Sequence, residues 1–183
     1  KSYSPDYFYR FPRMDYAMLK EHSEGVIAAS ACLGGVYAGN YWENIEKGED
    51  AVLEVMRDTT ERMLDIFGDR WYGELQWNNI DEQHELNKLV IKVCDEYGVE
   101  LISTADSHYP NRDVWKDREL YKRLGWLGKG TPKWATSTEL PAGVEEIGYE
   151  LFPKNGDQMW EAYENYSKEG DYDDTLVRES IER

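Results

Sequence analysis

The sequence predicts an α/β fold built from parallel strands with flanking helices. Three observations carry this expectation: short strand-like runs recur, amphipathic helical segments separate them, and the connecting loops are short. The strand-like runs are Val26–Cys32, Trp71–Trp77 and Val99–Ser107. The clearest helical segments are Asp50–Phe67 and Asp81–Tyr97.

In chain order, the first 13 residues are aromatic and broken by proline (Tyr3, Tyr7, Phe8, Tyr9, Phe11, Pro12), which suits a packed connector better than a helix. Asp15 opens a short helical stretch with Tyr16 and Leu19 on one face, and it stops near His22–Gly25. Val26–Cys32 is a continuous run of small apolar residues ending at Leu33-Gly34-Gly35, the pattern of a buried strand followed by a tight loop. From Asp50, apolar residues recur at Val52, Val55, Met56, Met63, Ile66 and Phe67, and Gly68 is the stop signal. In the next helix Leu86, Leu89, Val90, Val93 and Tyr97 form the stripe and Gly98 ends it. Pro110-Asn111 opens a further helix over Arg112–Leu124. Five glycines (Gly125, Gly128, Gly130, Gly143, Gly148) make residues 125–150 loop-rich, and helices follow over Gly156–Tyr166 and from Asp174. No internal repeat is visible. Residues 1–124 therefore read as one domain portion and 125–183 as a loop-rich and helical extension.

The 183 residues suffice for one domain with a real core, or a large piece of one. A chain opening on Lys1 without an initiator Met is expected to be either a fragment or a processed chain. Two cysteines, Cys32 and Cys94, are too few for a disulfide framework and suit a reducing compartment, so a cytoplasmic location is expected. No run is apolar enough to cross a bilayer and no signal-peptide pattern is present, so no membrane partner is expected. The net charge of −16 repels phosphate backbones. It either keeps the chain soluble or, in part, holds divalent cations. Contact with DNA would then need metal or basic surfaces from elsewhere in a larger protein.

Asp106-Ser-His108 is the sharpest chemical feature. On a strand, alternation puts Asp106 and His108 on one face with Thr104 and Ile102, at the strand's C-terminal end, where βα proteins build their sites. A carboxylate and an imidazole so spaced can share Zn²⁺, Mn²⁺ or Fe²⁺. The plainer alternative is an Asp holding a loop amide beside a surface His. Cys32 ends the first strand before paired glycines; it is either a small buried hydrophobe or a thiolate ligand favouring Zn²⁺. Tyr72, Glu74 and Gln76 share a strand face, so Glu74 and Gln76 either line a site or form a buried hydrogen-bonded network. His22 and His84 read as solvated and Cys94 as packing. There is no phosphate loop, no CxxC and no defensible Ser/His/Asp arrangement.

Four segments, in order, resemble the PHP (polymerase-and-histidinol-phosphatase) domain that opens the alpha subunit of bacterial DNA polymerase III. Leu19–Gly35 (LKEHSEGVIAASACLGG) matches a family stretch of the form L-x-x-h-S-E-G-L-I-x-L-S-G/A-C-L-G-G. Asp65–Gln76 is similar to F-G-D-x-F-Y-L-E-L-Q, Glu82–Asn87 to E-Q-x-x-x-N, and Leu101–Tyr109 to P-L-V-A-T-N-D-V-H-Y. Beyond Tyr109 the likeness is faint, at Glu150–Met159 against F-Y-L-K-S-x-E-E-M. The resemblance implies part of a distorted (β/α)7 barrel with a multi-metal site at its strand C-terminal ends. It makes Cys32, Asp106 and His108 the expected metal ligands, with Zn or Mn the expected ions; Glu74 and Gln76 have no such warrant and remain candidate lining residues. The family's H-x-H motif and its middle His and Glu ligands have no counterpart in the chain. In the intact polymerase the implied activity is 3′→5′ exonuclease action, with DNA and the remaining polymerase domains as partners; this segment by itself is expected to be inactive. The alternatives are a non-catalytic scaffold and, more remotely, a stand-alone PHP phosphoesterase. The polymerase's own catalytic carboxylates belong to a palm domain, and none is assigned.

Overall fold

A computed structural model describes residue 5 and residues 8–9, 11–126, 151–167 and 171–183. Contacts divide the chain into two units, residues 1–73 with 90–100, and residues 74–89 with 101–183. The elements in order are β1 (Phe8–Tyr9), β2 (Phe11–Pro12), α1 (Tyr16–Glu21), β3 (Ala28–Ala29), α2 (Val36–Asn44), α3 (Glu49–Phe67), β4 (Trp71–Gln76), α4 (Asp81–Tyr97), β5 (Leu101–Thr104), α5 (Trp115–Trp126), α6 (Gly156–Tyr166) and α7 (Asp174–Glu182). Short 3-10 turns lie at Ile45–Lys47, Gly68–Arg70 and Arg112–Val114. Three strands form a small parallel sheet in the order β3-β4-β5, with Ala28 opposite Trp71 and Ala29 opposite Tyr72. This is the α/β class expected.

In the first unit, β1 and β2 pair antiparallel where the sequence suggested only a connector. The Asp15 carboxylate accepts from the Met18 N–H at 2.8 Å and so starts α1. Helix α3 begins with Glu49 and Asp50, acidic residues suited to a helix N-terminus. Its buried face carries Val52, Leu53, Met56, Thr59, Thr60, Met63, Ile66 and Phe67, close to the expected stripe. Gly68, at φ +58°, ends it with its N–H on the Leu64 carbonyl. Each fully buried Leu, Val or Met here contributes roughly 1.5–3 kcal/mol through removal from water. Helix α2 seats Tyr37 in this core, where its hydroxyl lies 2.7 Å from Thr60 Oγ1 and accepts from the Trp71 indole N–H at 3.4 Å. Cys94, from the C-terminal half of α4, is fully buried in the same unit, as its packing role anticipated.

One strand departs from expectation. Only Ala28 and Ala29 of the run Val26–Cys32 are paired as a strand, while Val26 and Ile27 are 44 % and 69 % exposed. The Arg70 guanidinium donates to the Val26 carbonyl at 2.7 Å and also to that of Ser23, and these bonds tie the entry to β3 outside the ladder.

In the second unit, α7 lies against β5: Ser180 Oγ is 2.7 Å from Ser103 Oγ, and Arg183 donates to the Leu101 carbonyl at 2.9 Å. A reciprocal capping box starts α6, with Asn155 accepting from Gln158 N at 2.9 Å and Gln158 Oε1 accepting from Asn155 N at 3.1 Å. The helix expected over Arg112–Leu124 is a 3-10 turn leading into α5, which continues to Trp126. The rest of the loop-rich stretch, 127–150, lies outside the described residues. Among the described residues no helix is long and apolar enough to cross a membrane.

Candidate metal centre

Cys32 lies in the first unit, in the turn that joins β3 to α2. Ser30 continues the β3 register, its N–H donating to the Tyr72 carbonyl at 3.1 Å. Ala31 then adopts φ +62°, a left-handed conformation that reverses the chain. The Cys32 carbonyl accepts from Gly35 N at 2.8 Å, and its sulfur accepts from Gly34 N at 3.5 Å. A Cβ at Gly35 would stand 2.1 Å from the Ser30 carbonyl oxygen, so only glycine fits there. The thiol is half-buried and outside any disulfide.

Asp106 and His108 lie in the second unit, just beyond β5. Strand alternation does not relate them: the strand ends at Thr104 and Asp106 has φ +46°, so no strand face runs on to these residues. A local hydrogen bond brings them together instead. His108 Nδ1 stands 2.6 Å from the Asp106 carbonyl oxygen and 3.9 Å from its carboxylate Oδ2. A carbonyl oxygen only accepts, so Nδ1 carries the proton, and in the neutral ring Nε2 keeps a lone pair. That is the tautomer of a metal-ligating histidine. Leu151 fixes the loop from outside. Its carbonyl accepts from His108 N at 2.8 Å and Tyr109 N at 3.3 Å, and its N–H donates to the Tyr109 hydroxyl at 3.0 Å.

Glu74 and Gln76 share a network at the end of β4. Gln76 Nε2 donates to Glu74 Oε1 and to Thr104 Oγ1, each at 3.3 Å, and the Thr104 hydroxyl donates to Glu74 Oε1. Gln76 is only 2 % exposed, and its Oε1 is buried with no hydrogen-bond partner among the described residues. Behind it, the Asn87 side chain accepts from Gln76 N at 3.4 Å and donates to Gln76 O at 2.9 Å, while Gln83 Nε2 donates to Asn87 Oδ1 at 2.9 Å. Sequence reasoning assigned Gln83 and Asn87 no part in this network. The available signal was two polar residues four apart on the otherwise apolar face of α4, a spacing that lets them meet.

His84 also differs from expectation. It is half-buried, with Nε2 2.8 Å from the Asn78 carbonyl and its ring beside Trp77 and Tyr172. His22 is exposed, as expected. Among the described residues no three His, Cys, Asp or Glu side chains gather into a metal-binding group. Asp106 and His108 supply two neighbouring donors; Cys32 is described within its own unit.

No protein-family model matches the chain. It is 42 % identical to DNA polymerase III subunit alpha of Aquifex aeolicus over 104 residues, 57 % of this chain and 8 % of that protein. The subunit alpha of Borreliella burgdorferi is 38 % identical over 124 residues, 68 % of this chain and 10 % of that protein. That of Thermus aquaticus is 32 % identical over 117 residues, 62 % and 9 %. The chain resembles a segment of bacterial DNA polymerase III subunit alpha. It spans about a tenth of the length of the curated relatives it matches. The match extends over more than half of the chain, which a single short motif would not produce.

Proposed function

We propose that the chain is a segment of a replicative DNA polymerase III alpha subunit, residues 1–124 forming the C-terminal part of its PHP domain and 125–183 leading toward the palm. On this reading Cys32, Asp106 and His108 are ligands for divalent metal, Zn or Mn, in a site completed by residues outside this chain. The donor set of thiolate, carboxylate and imidazole suits Zn²⁺. The observation that carries the reading is the His108 Nδ1–Asp106 carbonyl bond, which leaves Nε2 as a free donor to metal. Metal held there would supply Lewis acidity toward a phosphodiester oxygen and an activated water, the chemistry of 3′→5′ exonuclease action in the whole polymerase. The protein's own contribution is positional. The Asp106 backbone holds the imidazole proton on Nδ1, and Leu151 holds the loop. DNA and the other polymerase domains are the partners this reading implies.

The second reading is a PHP scaffold without catalysis, favoured by the lack of a three-residue ligand group among the described residues. Zinc and manganese content after dialysis tests the ligand assignment on the parent chain and on Cys32→Ala, Asp106→Ala and His108→Ala. Each variant is expected to lose metal while keeping its circular dichroism. Undiminished metal in all three would sink the assignment. Nuclease assay of the intact polymerase carrying Asp106→Ala separates enzyme from scaffold: unchanged digestion of single-stranded DNA favours the scaffold.

A further inference from the structure

We propose that the side-chain oxygen of Gln76, at the end of β4 beside Glu74 and Thr104, is a ligand to a hard divalent cation of the Mg²⁺ or Ca²⁺ class. Gln76 is 2 % exposed, and burying its carbonyl oxygen without a partner costs free energy that a ligand would return. The amide cannot escape by turning over. Its Nε2 donates to Glu74 Oε1 and to Thr104 Oγ1, each at 3.3 Å, and the flipped amide would set Oε1 against the Glu74 carboxylate. The partner that suits Gln76 Oε1 is therefore a donor or a cation.

The surroundings favour the cation. Asn78 Oδ1 and Gln83 Oε1 are the other buried side-chain atoms without a hydrogen-bond partner among the described residues. They stand in the turn after β4 and the first turn of α4, and like Gln76 Oε1 they are carbonyl oxygens. What this stretch lacks is donors. A water would bring lone pairs of its own into such a place, whereas a cation brings none. The Glu74 carboxylate acts through the amide, because accepting from Nε2 polarises the group and raises the negative charge on Oε1. Oxygens of amide, hydroxyl and carboxylate groups are the donors that Mg²⁺ and Ca²⁺ take. The C-terminal end of a parallel strand is also where α/β sheets bind ligands. Thiolate and imidazole favour Zn²⁺ instead, so this site is separate from the proposed Cys32, Asp106 and His108 ligands and stands without them.

The test follows the Gln76 side-chain NH₂ resonances of zinc-free protein during titration with CaCl₂ or MgCl₂, and with substoichiometric MnCl₂ as a paramagnetic probe. These signals are expected to shift with Ca²⁺ or Mg²⁺ and to broaden with Mn²⁺; whichever of the two displaces Mn²⁺ at lower concentration is the ion preferred. With the Thr104 amide as reporter, Gln76→Met should weaken binding about tenfold or more, the order expected for losing one bond to a charged group. Gln76→Glu should bind more tightly than the parent and decides the matter should Gln76→Met fail to fold. Glu46→Gln, at an exposed position of the other unit, is the control for general charge and should change little. Gln76 signals that stay put while exposed acidic residues respond would overturn the site, as would unchanged affinity in both Gln76 variants. A water cross-peak at Gln76 with no response to any cation would show an internal water only, and overturns it too. Broadening that persists in His108→Ala supports a separate site; broadening lost there would assign the ion to the Asp106–His108 loop and overturn this one.

Discussion

Ala31 and Asp106 are the two non-glycine residues with left-handed backbone among the described residues. One directly precedes a proposed ligand and the other is a proposed ligand. Asp tolerates this conformation because its short side chain bonds locally, whereas Ala has no such compensation and costs roughly 1–2 kcal/mol. The β3–α2 turn therefore holds strain at Ala31, and Gly35 is what lets it close. Gly35→Ala would set a methyl group 2.1 Å from the Ser30 carbonyl. It is expected to destabilise the fold by about 2 kcal/mol or more, read from the urea midpoint; an unchanged midpoint would show that the turn yields freely. Cys32, Asp106 and His108 stand out in the sequence as candidates because each lies two to four residues before a glycine or proline at the end of a strand-like run, while their binding of metal is a proposal. How Asp106 and His108 meet was not legible. Period-two alternation assumes extended backbone, and a positive φ at Asp106 is a tertiary outcome that residue type only permits.

Helices α3 and α4 were readable because each joins a long apolar stripe to a terminal glycine. Helix α2 was not anticipated; only Tyr37, Ala38 and Tyr41 of its nine residues are buried, and Gly39 interrupts it. Strand β3 was read too long because Val26 and Ile27 carry strand propensity while facing solvent. The core that α2 completes has a pH consequence. Burial pushes the Cys94 thiol from its ordinary 9.0 up to about 12, and burial, with Cys94 alongside, pushes the Tyr37 phenol from 10.0 up to about 12. Both groups are neutral when protonated, so the folded state holds these protons more tightly than the unfolded chain. Their stabilisation is fully present below pH 9 and declines from there toward pH 12 as the unfolded chain ionises first. The loss should be on the order of 1 kcal/mol per pH unit per group. Tyr37→Phe with Cys94→Ala is expected to flatten the alkaline limb of stability against pH; a limb of unchanged slope would place its origin elsewhere.

At the scale of the molecule, a net charge of −16 on 183 residues sets repulsion against compactness. Exposed pairs such as Lys20–Asp65 at 2.7 Å and Lys92–Glu49 at 2.8 Å pull the other way, but pairs this open contribute little. Raising salt from 0.01 to 0.15 M shortens the screening length from about 30 to about 8 Å. Repulsion acts over the longer distances and so loses more, and stability should rise on the order of 1 kcal/mol, measured by thermal melts with chelator present. A fall would mean that the ion pairs dominate. The fold class was readable from the order of strands and helices, whereas the division into two units was not, because its boundaries pass through β4 and α4. The same strand carries a less visible safeguard. Asn87, with one bond to the N–H and one to the carbonyl of Gln76, imitates a neighbouring strand at the last residue of β4. In the order β3-β4-β5 this strand is the central one, and an amide borrowed from a helix occupies both the last donor and the last acceptor of its main chain. The strand thus ends with both backbone groups of its final residue satisfied by a side chain.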